Sequence, residues 1–324
     1  MNPELKTNCY SVCVENTELL STQEERSICF RERCAMSATQ GDPDSVPLSG
    51  IGETSLGVAA LRAVENQRAD RLFEDPYAQR LLDVAGGWAM ASVATPASGL
   101  SFVDLMAGQV AIRTRFLDEV LLDAVGDSCS QVVLLASGMD ARPYRLPWPD
   151  GTRLFEVDFE TVLTFKRDAL RGSGARARCE HVQVAADLRA DWPDTLRRAG
   201  FDADVPTIWL AEGILYALSA DAADVLLARM TELSAPGSEL VADHVEDSPL
   251  LRDARAAISD ELVQLWRGGP DDDLDTWLYR HGWKPAVREI AALARSYRRP
   301  VPPAFDPDLD GSGRGWLVTA RLQG

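Results

Sequence analysis

The stretch that decides the fold is QVVLLASGMDARPYRLPWP, residues 131–149. Residues 131–136 form an almost unbroken apolar run, which is typical of a strand buried on both faces of a parallel sheet. The Ser137-Gly138 pair that follows predicts a turn at the carboxyl end of this strand. The segment therefore predicts a buried strand followed by a turn where a ligand would lie.

The same alternation continues towards the C-terminus. Short apolar runs at 153–157, 181–185, 207–211 and 238–243 predict further strands, and helical patterns at 160–170, 191–200 and 220–233 lie between them. A helix near 275–282 and strands at 284–290 and 315–323 complete the chain. Strands that alternate with helices predict βαβ units, and hence an α/β domain with a doubly wound, mostly parallel sheet.

Helical patterns precede the first strand and predict a cover over the sheet. We expect Ser55 to cap a helix over 56–70, a short helix over 72–83 that is broken at Pro76, and a long helix over 103–125. The uncharged run 84–103 is rich in Ala, Gly, Ser and Pro, and it predicts a mobile cover segment rather than a membrane span. The predicted organisation is an extension over 1–50, a helical cover over 51–130 and an α/β core over 131–324.

Composition excludes several classes of function. The 324 residues carry a net charge of −17, whereas nucleic-acid-binding domains present a basic face, so a nucleic-acid partner is not expected. The N-terminus MNPELKTNCY has no apolar signal core, and no run is apolar enough to span a membrane. These features predict a cytoplasmic protein whose thiols stay reduced. The oligomeric state stays open.

Four of the six cysteines lie in the first 35 residues, as Cys9, Cys13, Cys29 and Cys34. Four thiolates could hold zinc, but this spacing is not that of a zinc ribbon, and no Gly or Pro lies between the paired cysteines. The favoured interpretation is an extension with free thiols and no metal, and a zinc-binding module is the alternative.

Acidic residues follow successive strands of the predicted sheet. Asp158, Asp187, Glu212 and Asp243 come at the ends of the second to fifth strands, and ligands of such sheets bind at the carboxyl ends of the strands. Asp158 lies twenty residues after Gly138, the distance of a ribose-binding acid from a nucleotide-binding turn. The glycine-rich loop that a dinucleotide needs for its pyrophosphate is missing. This pattern favours S-adenosylmethionine, which has no phosphates, over NAD.

Several motifs resemble the leucine carboxyl methyltransferase family, and in particular its actinobacterial branch of S-adenosylmethionine-dependent methyltransferases. The motifs are DARPYRLPWP (140–149), LFEVDFETVLTFK (154–166), AADLRADWPDTLRRAGFD (185–202) and PTIWLAEGILYAL (206–218). The similarity runs from about residue 55 to residue 322. It implies a Rossmann-like methyltransferase sheet with S-adenosyl-L-methionine as the cofactor.

The resemblance implies a role for each residue that matches a family motif. Asp158 would accept hydrogen bonds from the ribose, and Asp187 and Leu188 would hold the adenine. Arg113 would pair with the methionine carboxylate, and Arg115 is its rival because the two point to different faces of one helix.

The turn and the fourth strand complete the implied donor site. Ser137 and Gly138 would pass under the methionine part, and Glu212 would face its ammonium or the substrate. The chain departs from the family at Ala136, where the family has glycine. It also departs at Ala217, where the family has tyrosine. These changes predict a substrate pocket that differs from that of a typical member.

The predicted function is methyl transfer to a carboxylate or hydroxyl of a small molecule of secondary metabolism. A carboxylate acceptor is ionised near pH 7 and needs no base. A hydroxyl acceptor would be helped by one, for which His244 is the candidate, whereas His181 and His281 are interpreted as structural. Alternatives are a carboxyl methyltransferase of a peptide or protein, a degenerate binding protein without catalysis, and a nucleotide-dependent oxidoreductase.

Overall fold

The computed structural model describes residues 51–87, 96, 98–258 and 263–323. The predictions for the cysteine-containing extension, including zinc or free thiols at Cys9, Cys13, Cys29 and Cys34, lie outside the described residues. So do residues 88–95 and 97 of the predicted cover segment over 84–103.

A seven-stranded sheet forms the centre of the described chain. Its strands are β1 (Gln131–Leu135), β2 (Arg153–Asp158), β3 (Glu180–Ala185), β4 (Thr207–Ala211), β5 (Glu239–Val245), β6 (Trp283–Glu289) and β7 (Gly315–Leu322). They lie in the order β3-β2-β1-β4-β5-β7-β6, and β7 pairs antiparallel with both β5 and β6. The pairs among β1 to β5 are all parallel. The prediction of a doubly wound, mostly parallel sheet is confirmed.

The order in which strands are added to the sheet reverses between β1 and β4, because β2 and β3 lie on one side of β1 and β4 and β5 lie on the other. In an open α/β sheet, this reversal opens a crevice at the carboxyl ends of the strands, and ligands bind there. The turn after β1 and the segment after β4 therefore border the same crevice.

Helices cover both faces of the sheet. They are α1 (Ile51–Asn66), α2 (Ala78–Val84), α3 (Phe102–Asp127), α4 (Arg142–Arg145), α5 (Glu160–Gly172), α6 (Trp192–Arg198), α7 (Ala220–Glu232), α8 (Pro249–Ala256), α9 (Leu274–Arg280) and α10 (Ile290–Ser296). Short 3₁₀ turns lie at Leu215–Ala217 and Pro303–Phe305. None of the helices in the described ranges is long and apolar enough to cross a membrane.

Two local predictions were wrong. Ser55 does not cap the first helix, because α1 already begins at Ile51 and ends at Asn66. Pro76 does not break the second helix but precedes it. The Asp75 carboxylate accepts the backbone N–H groups of Tyr77 and Ala78, so the chain turns here and α2 begins only at Ala78.

Helix α3 places functional side chains against the sheet. Ser101 and Asp104 form a reciprocal capping box that fixes its start. Its buried face, with Leu105, Leu117 and Leu121, packs on one side of the sheet. Each fully buried leucine contributes about 2 kcal/mol of transfer free energy. This packing carries Arg113, on the same buried face, to the carboxyl edge of the strands.

Candidate active site

The turn after β1 is built around the carboxylate of Asp158 at the end of β2. Gly138 donates its backbone N–H to Asp158 Oδ2 at 2.7 Å, and Phe159 donates to Oδ1 at 2.7 Å. Burial raises the pKa of Asp158, and the two N–H groups partly offset this. The carboxylate therefore fixes the turn and lies at the crevice where a ribose would bind.

Two residues of this turn have left-handed backbone conformations. Gly138 has φ +47° and Ala136 has φ +49°. A Cβ added at Gly138 would lie 2.8 Å from Cβ of Ser55, so helix α1 packs too closely on the turn to accept a side chain there. Ala136 adopts a conformation that glycine reaches without strain, which explains physically why glycine suits this position.

A buried ion pair on β2 and α5 contacts the turn after β1. Lys166 Nζ lies 2.7 Å from Glu156 Oε1, and both side chains are fully buried. The same ammonium donates to Ser137 Oγ at 3.2 Å, and His181 Nε2 lies 2.8 Å from the other oxygen of Glu156. Burial acts to raise the pKa of Glu156, but Lys166 and His181 outweigh it and lower the pKa to about 2. Helix α5 is thereby tied to the turn, and His181 has the structural role predicted for it.

Arg113 joins the ends of β4 and β5. Its Nη1 donates to Asp243 Oδ2 at 2.9 Å, and its Nε lies 3.0 Å from Glu212 Oε1. Burial disfavours the charged guanidinium, but Asp243 and Glu212 outweigh this and raise the pKa of Arg113. Arg115 instead lies on the surface, 45 % exposed, where it pairs with Glu119. Of the two rival arginines, Arg113 is the one at the crevice.

Glu212 lies between two arginines. Its Oε2 accepts from Arg142 Nη1 at 2.6 Å, while Oε1 faces Arg113. Burial acts to raise the pKa of Glu212, but Arg142 and Arg113 outweigh it and hold the pKa well below its ordinary value. The residue is therefore a carboxylate at neutral pH and takes no proton there.

The ion pairs continue behind the crevice. Arg142 also contacts Asp118 at 2.7 Å and Asp140 at 2.5 Å, and Arg145 contacts Asp118 at 2.6 Å. All four side chains are at least nine-tenths buried. Arg142 and Arg145 thus form a buried ion-pair network with these acids, and Arg142 holds Glu212 in place from α4.

Asp187 lies beyond the end of β3 and binds its own neighbour. Arg189 Nη2 donates to Asp187 Oδ2 at 2.6 Å, and the backbone N–H of Arg189 donates to Oδ1 at 2.9 Å. These hydrogen bonds lower the pKa of Asp187. Leu188 is partly buried against the apolar core. The structure thus places both residues at the strand edge, with the Asp187 carboxylate already paired to an exposed arginine.

His244 lies on β5 next to Asp243, but successive strand residues point to opposite faces of the sheet. Its ring stacks on Trp316 with centroids 5.9 Å apart, and Cε1 lies against Gly269. Among the described residues, its buried Nδ1 has no hydrogen-bond partner. Burial lowers the pKa of His244, although Asp243 and Glu246 oppose this, so the imidazole is neutral at pH 7.

Some of the predicted site residues come together and others do not. Gly138 contacts Asp158, and Arg113 contacts Glu212. Asp187 and His244 lie at other places along the same edge. Sequence reasoning missed Asp243 as the partner of Arg113, although its place at a strand end was a usable signal. It also missed Lys166, whose burial on an amphipathic helix no local pattern reveals.

The residues at the crevice fit S-adenosylmethionine. Glu212 Oε1 is buried and, among the described residues, has no partner in hydrogen-bond geometry, so an oxygen lone pair stays available for an ammonium. The guanidinium of Arg113 has five N–H donors, more than Asp243 and Glu212 use. Ammonium, carboxylate and ribose hydroxyls thus each have a chemically matched group along one crevice.

The strand order and the acid at the end of β2 are those expected of an S-adenosylmethionine-dependent methyltransferase, and the comparisons with known proteins show that class. Residues 55–231 match the family model described as leucine carboxyl methyltransferase, and the chain belongs to this family. The prediction from the sequence motifs is confirmed, and the oxidoreductase alternative is wrong.

Relatives from actinobacteria agree with this assignment. A protein of Streptomyces coelicolor named "Putative S-adenosyl-L-methionine-dependent methyltransferase" is 40% identical and covers 81% of this chain and 93% of its own length. A protein of Frankia alni with the same name is 43% identical and covers 86% of this chain and 97% of its own. A crystal structure titled as a "putative methyltransferase" from Thermobifida fusca has 18% identity and a TM-score of 0.50, over 87% of this chain and 97% of its own. This last likeness concerns the fold alone.

Proposed function

We propose that this methyltransferase transfers the methyl group to an oxygen, a carboxylate or a hydroxyl, of a small molecule of secondary metabolism in the cytoplasm. The observation that carries the proposal is that the Gly138–Asp158 pair lies on one side of the point where the strand order reverses and the Arg113–Glu212 pair on the other. Net charge −17 argues against a nucleic-acid acceptor. The family description also makes a peptide or protein carboxylate a second candidate acceptor.

In the proposed donor site, Asp158 accepts the ribose hydroxyls, while Asp187 accepts the adenine amine and Leu188 packs against the ring. Arg189 has to move aside from Asp187, and this is inexpensive because its side chain is 81 % exposed. The turn of Ser137 and Gly138 runs beneath the methionine part. Because Ser137 has a small side chain and Gly138 has none, the backbone of this turn can approach a ligand closely.

Arg113 and Glu212 hold the two charged ends of the methionine part in this proposal. Arg113 pairs with the carboxylate and Glu212 accepts from the ammonium. Arg142 keeps Glu212 ionised and oriented, so the Glu212 carboxylate is in place before S-adenosylmethionine binds. S-adenosylmethionine supplies an electrophilic methyl group on a sulfonium. The chain holds the acceptor oxygen in line with it, and such orientation can supply about 7–11 kcal/mol of the barrier.

His244 is the proposed general base for a hydroxyl acceptor. Because burial lowers its pKa, its imidazole is neutral at pH 7, and one nitrogen of a neutral imidazole can accept a proton. Its buried Nδ1 has no partner among the described residues. A carboxylate acceptor needs no such proton transfer. Methylation of a hydroxyl acceptor should therefore depend on His244, and methylation of a carboxylate acceptor should not.

The first test is thermal unfolding with S-adenosylmethionine, S-adenosylhomocysteine, NAD and NADP. A ligand present at one hundred times its dissociation constant stabilises by about 2.7 kcal/mol, which is a clear shift in Tm. We expect a shift with the two sulfur ligands only, and its loss in Asp158→Ala. No shift at millimolar concentration would contradict the donor site.

The second test separates the acceptor types. Once a screen with labelled methyl donor identifies an acceptor, His244→Gln is compared with His281→Gln, a histidine that pairs with Asp224 away from the crevice. A hydroxyl acceptor should lose 10²–10⁴-fold in kcat/KM with His244→Gln, about the range of general-base catalysis. A carboxylate acceptor should be methylated at the same rate by both variants. Methylation at nitrogen or carbon would overturn the proposal.

A further inference from the structure

Arg255 is a buried guanidinium with too few partners. It lies on α8, its side chain is 1 % exposed, and its Nη2 pairs with Asp247. Among the described residues, its Nε and Nη1 are both buried and have no hydrogen-bond partner. Burial even lowers the pKa of this arginine, although Asp247 opposes the effect. Buried charges in proteins are normally paired and hydrogen-bonded, so this environment lacks an acceptor.

The charge around Arg255 is also unbalanced within the part of the chain that the structure describes. Asp247 is its carboxylate partner there, and Arg252 contacts the same carboxylate at 3.2 Å from the surface. Among the described residues, one carboxylate therefore pairs with two arginines. A bound anion would neutralise the second positive charge and accept from the unpaired N–H groups.

Two stacked aromatic rings connect Arg255 with the donor site. Its Cζ lies 3.9 Å over the ring of Trp266, and Trp266 stacks on Tyr216 with centroids 4.4 Å apart. The hydroxyl of Tyr216 faces Gly213 on the side of Arg113. The backbone N–H of Arg267 donates to the carbonyl oxygen of Tyr216 at 2.8 Å and fixes the loop to this turn. Arg255 is thus two rings away from the residues at the crevice.

We propose that Arg255 binds an anionic group, a carboxylate, of the methyl acceptor. This inference rests on the proposed function and narrows the acceptor to small acids. The anchored carboxylate is not the oxygen that receives the methyl group, because pairing with a guanidinium withdraws electron density from the nucleophile. The acceptor class is therefore a hydroxy acid or a diacid, and the methylated product keeps one negative charge.

The experiment uses the full chain with benzoate as the probe and benzamide as its neutral counterpart. Binding is followed by thermal unfolding with and without saturating S-adenosylhomocysteine. The test variant is Arg255→Met, which fills the same space without unpaired N–H groups and so should fold. The matched control is Arg252→Met, which removes the other arginine that contacts Asp247. Arg255→Lys is a second variant that keeps the charge.

We expect benzoate to stabilise wild type and Arg252→Met, and benzamide to stabilise neither. Arg255→Met should bind benzoate at least tenfold more weakly, with an unchanged shift from S-adenosylhomocysteine and an equal or higher Tm without ligand. Arg255→Lys should lie between the two. Equal benzoate binding by wild type and Arg255→Met, or no binding by wild type, would overturn the anion site. Absence of the S-adenosylhomocysteine shift in every protein would instead contradict the proposed function. Failure of the anion site is thus seen with benzoate, and failure of the donor site with S-adenosylhomocysteine.

Discussion

The backbone N–H of Gly138 donates to the carboxylate of Asp158 at 2.7 Å, across the parallel pair β1 and β2. The same carboxylate accepts a second backbone N–H, from Phe159. A single acid thus fixes this turn, and in the proposed donor site its remaining lone pairs accept the ribose hydroxyls. Structure and proposed binding depend on one side chain, and substitutions should affect both.

Asp158→Asn should weaken the turn and the donor site together. An asparagine can accept through one oxygen only, and its NH₂ would face a backbone N–H, so about 1–3 kcal/mol of unfolding free energy should be lost. S-adenosylhomocysteine should bind at least tenfold more weakly in calorimetric titration. Asp194→Asn is the control, because Asp194 is exposed and forms a surface pair with exposed Arg197, and it should change neither quantity. Unchanged affinity in Asp158→Asn would remove the ribose role.

Ala136→Gly should be neutral or stabilising. Ala136 has φ +49°, and a left-handed residue with a side chain costs about 1–2 kcal/mol, whereas glycine adds about 0.4–1 kcal/mol of entropy to the unfolded chain. The net expectation is a gain between zero and about 1.6 kcal/mol in urea unfolding. Ala141→Gly is matched, since Ala141 is buried with φ −104°, and it should destabilise. Equal losses in both variants would show that φ at Ala136 carries no strain.

The sequence predicted the sheet, its seven strands and the acids at the strand ends. Short apolar runs and the helical spacing of apolar residues between them are local signals of these elements. The sequence also located Asp158 by its distance from Gly138. It did not reach the partners of Arg113, since Asp243 is 130 residues away and only the pairing of β4 with β5 brings it near Glu212. The predicted helix start at Ser55 was wrong because α1 begins four residues earlier, and the break at Pro76 was wrong because the Asp75 carboxylate caps the chain before α2.

The buried Glu156 should make folding sensitive to acid. Its pKa is about 2 in the folded chain against an ordinary 4.5, so its stabilisation is fully present above pH 4.5 and is lost as the pH falls towards 2. The difference corresponds to about 3 kcal/mol. Urea unfolding at pH 6, 4 and 3 should show a smaller loss on acidification for Glu156→Gln than for wild type. Parallel losses in the two proteins would contradict this assignment.

Removing one half of the Lys166–Glu156 pair should cost more than removing both. Lys166→Met leaves the buried Glu156 carboxylate with His181 as its one remaining side-chain partner among the described residues, and about 3–5 kcal/mol of stability should be lost. The double variant Lys166→Met/Glu156→Leu removes the unpaired charge and should recover most of that loss in urea unfolding. Ser137 loses its contact with Lys166 in both variants, so S-adenosylhomocysteine affinity should fall in both. Recovery of affinity together with stability would show that Lys166 does not position the turn.

The choice between Arg113 and Arg115 can be tested directly. Arg113→Gln leaves Asp243 without its cation and Glu212 with Arg142 alone, and about 3–5 kcal/mol of unfolding free energy should be lost. Arg115→Gln removes an exposed pair with Glu119 and should change stability by less than about 1 kcal/mol. At a temperature where both variants are folded, calorimetric titration should show S-adenosylhomocysteine bound by Arg115→Gln as by wild type, and at least tenfold more weakly by Arg113→Gln. The reverse result would make Arg115 the group that binds the methionine carboxylate, and Arg113 a residue that only joins β4 to β5.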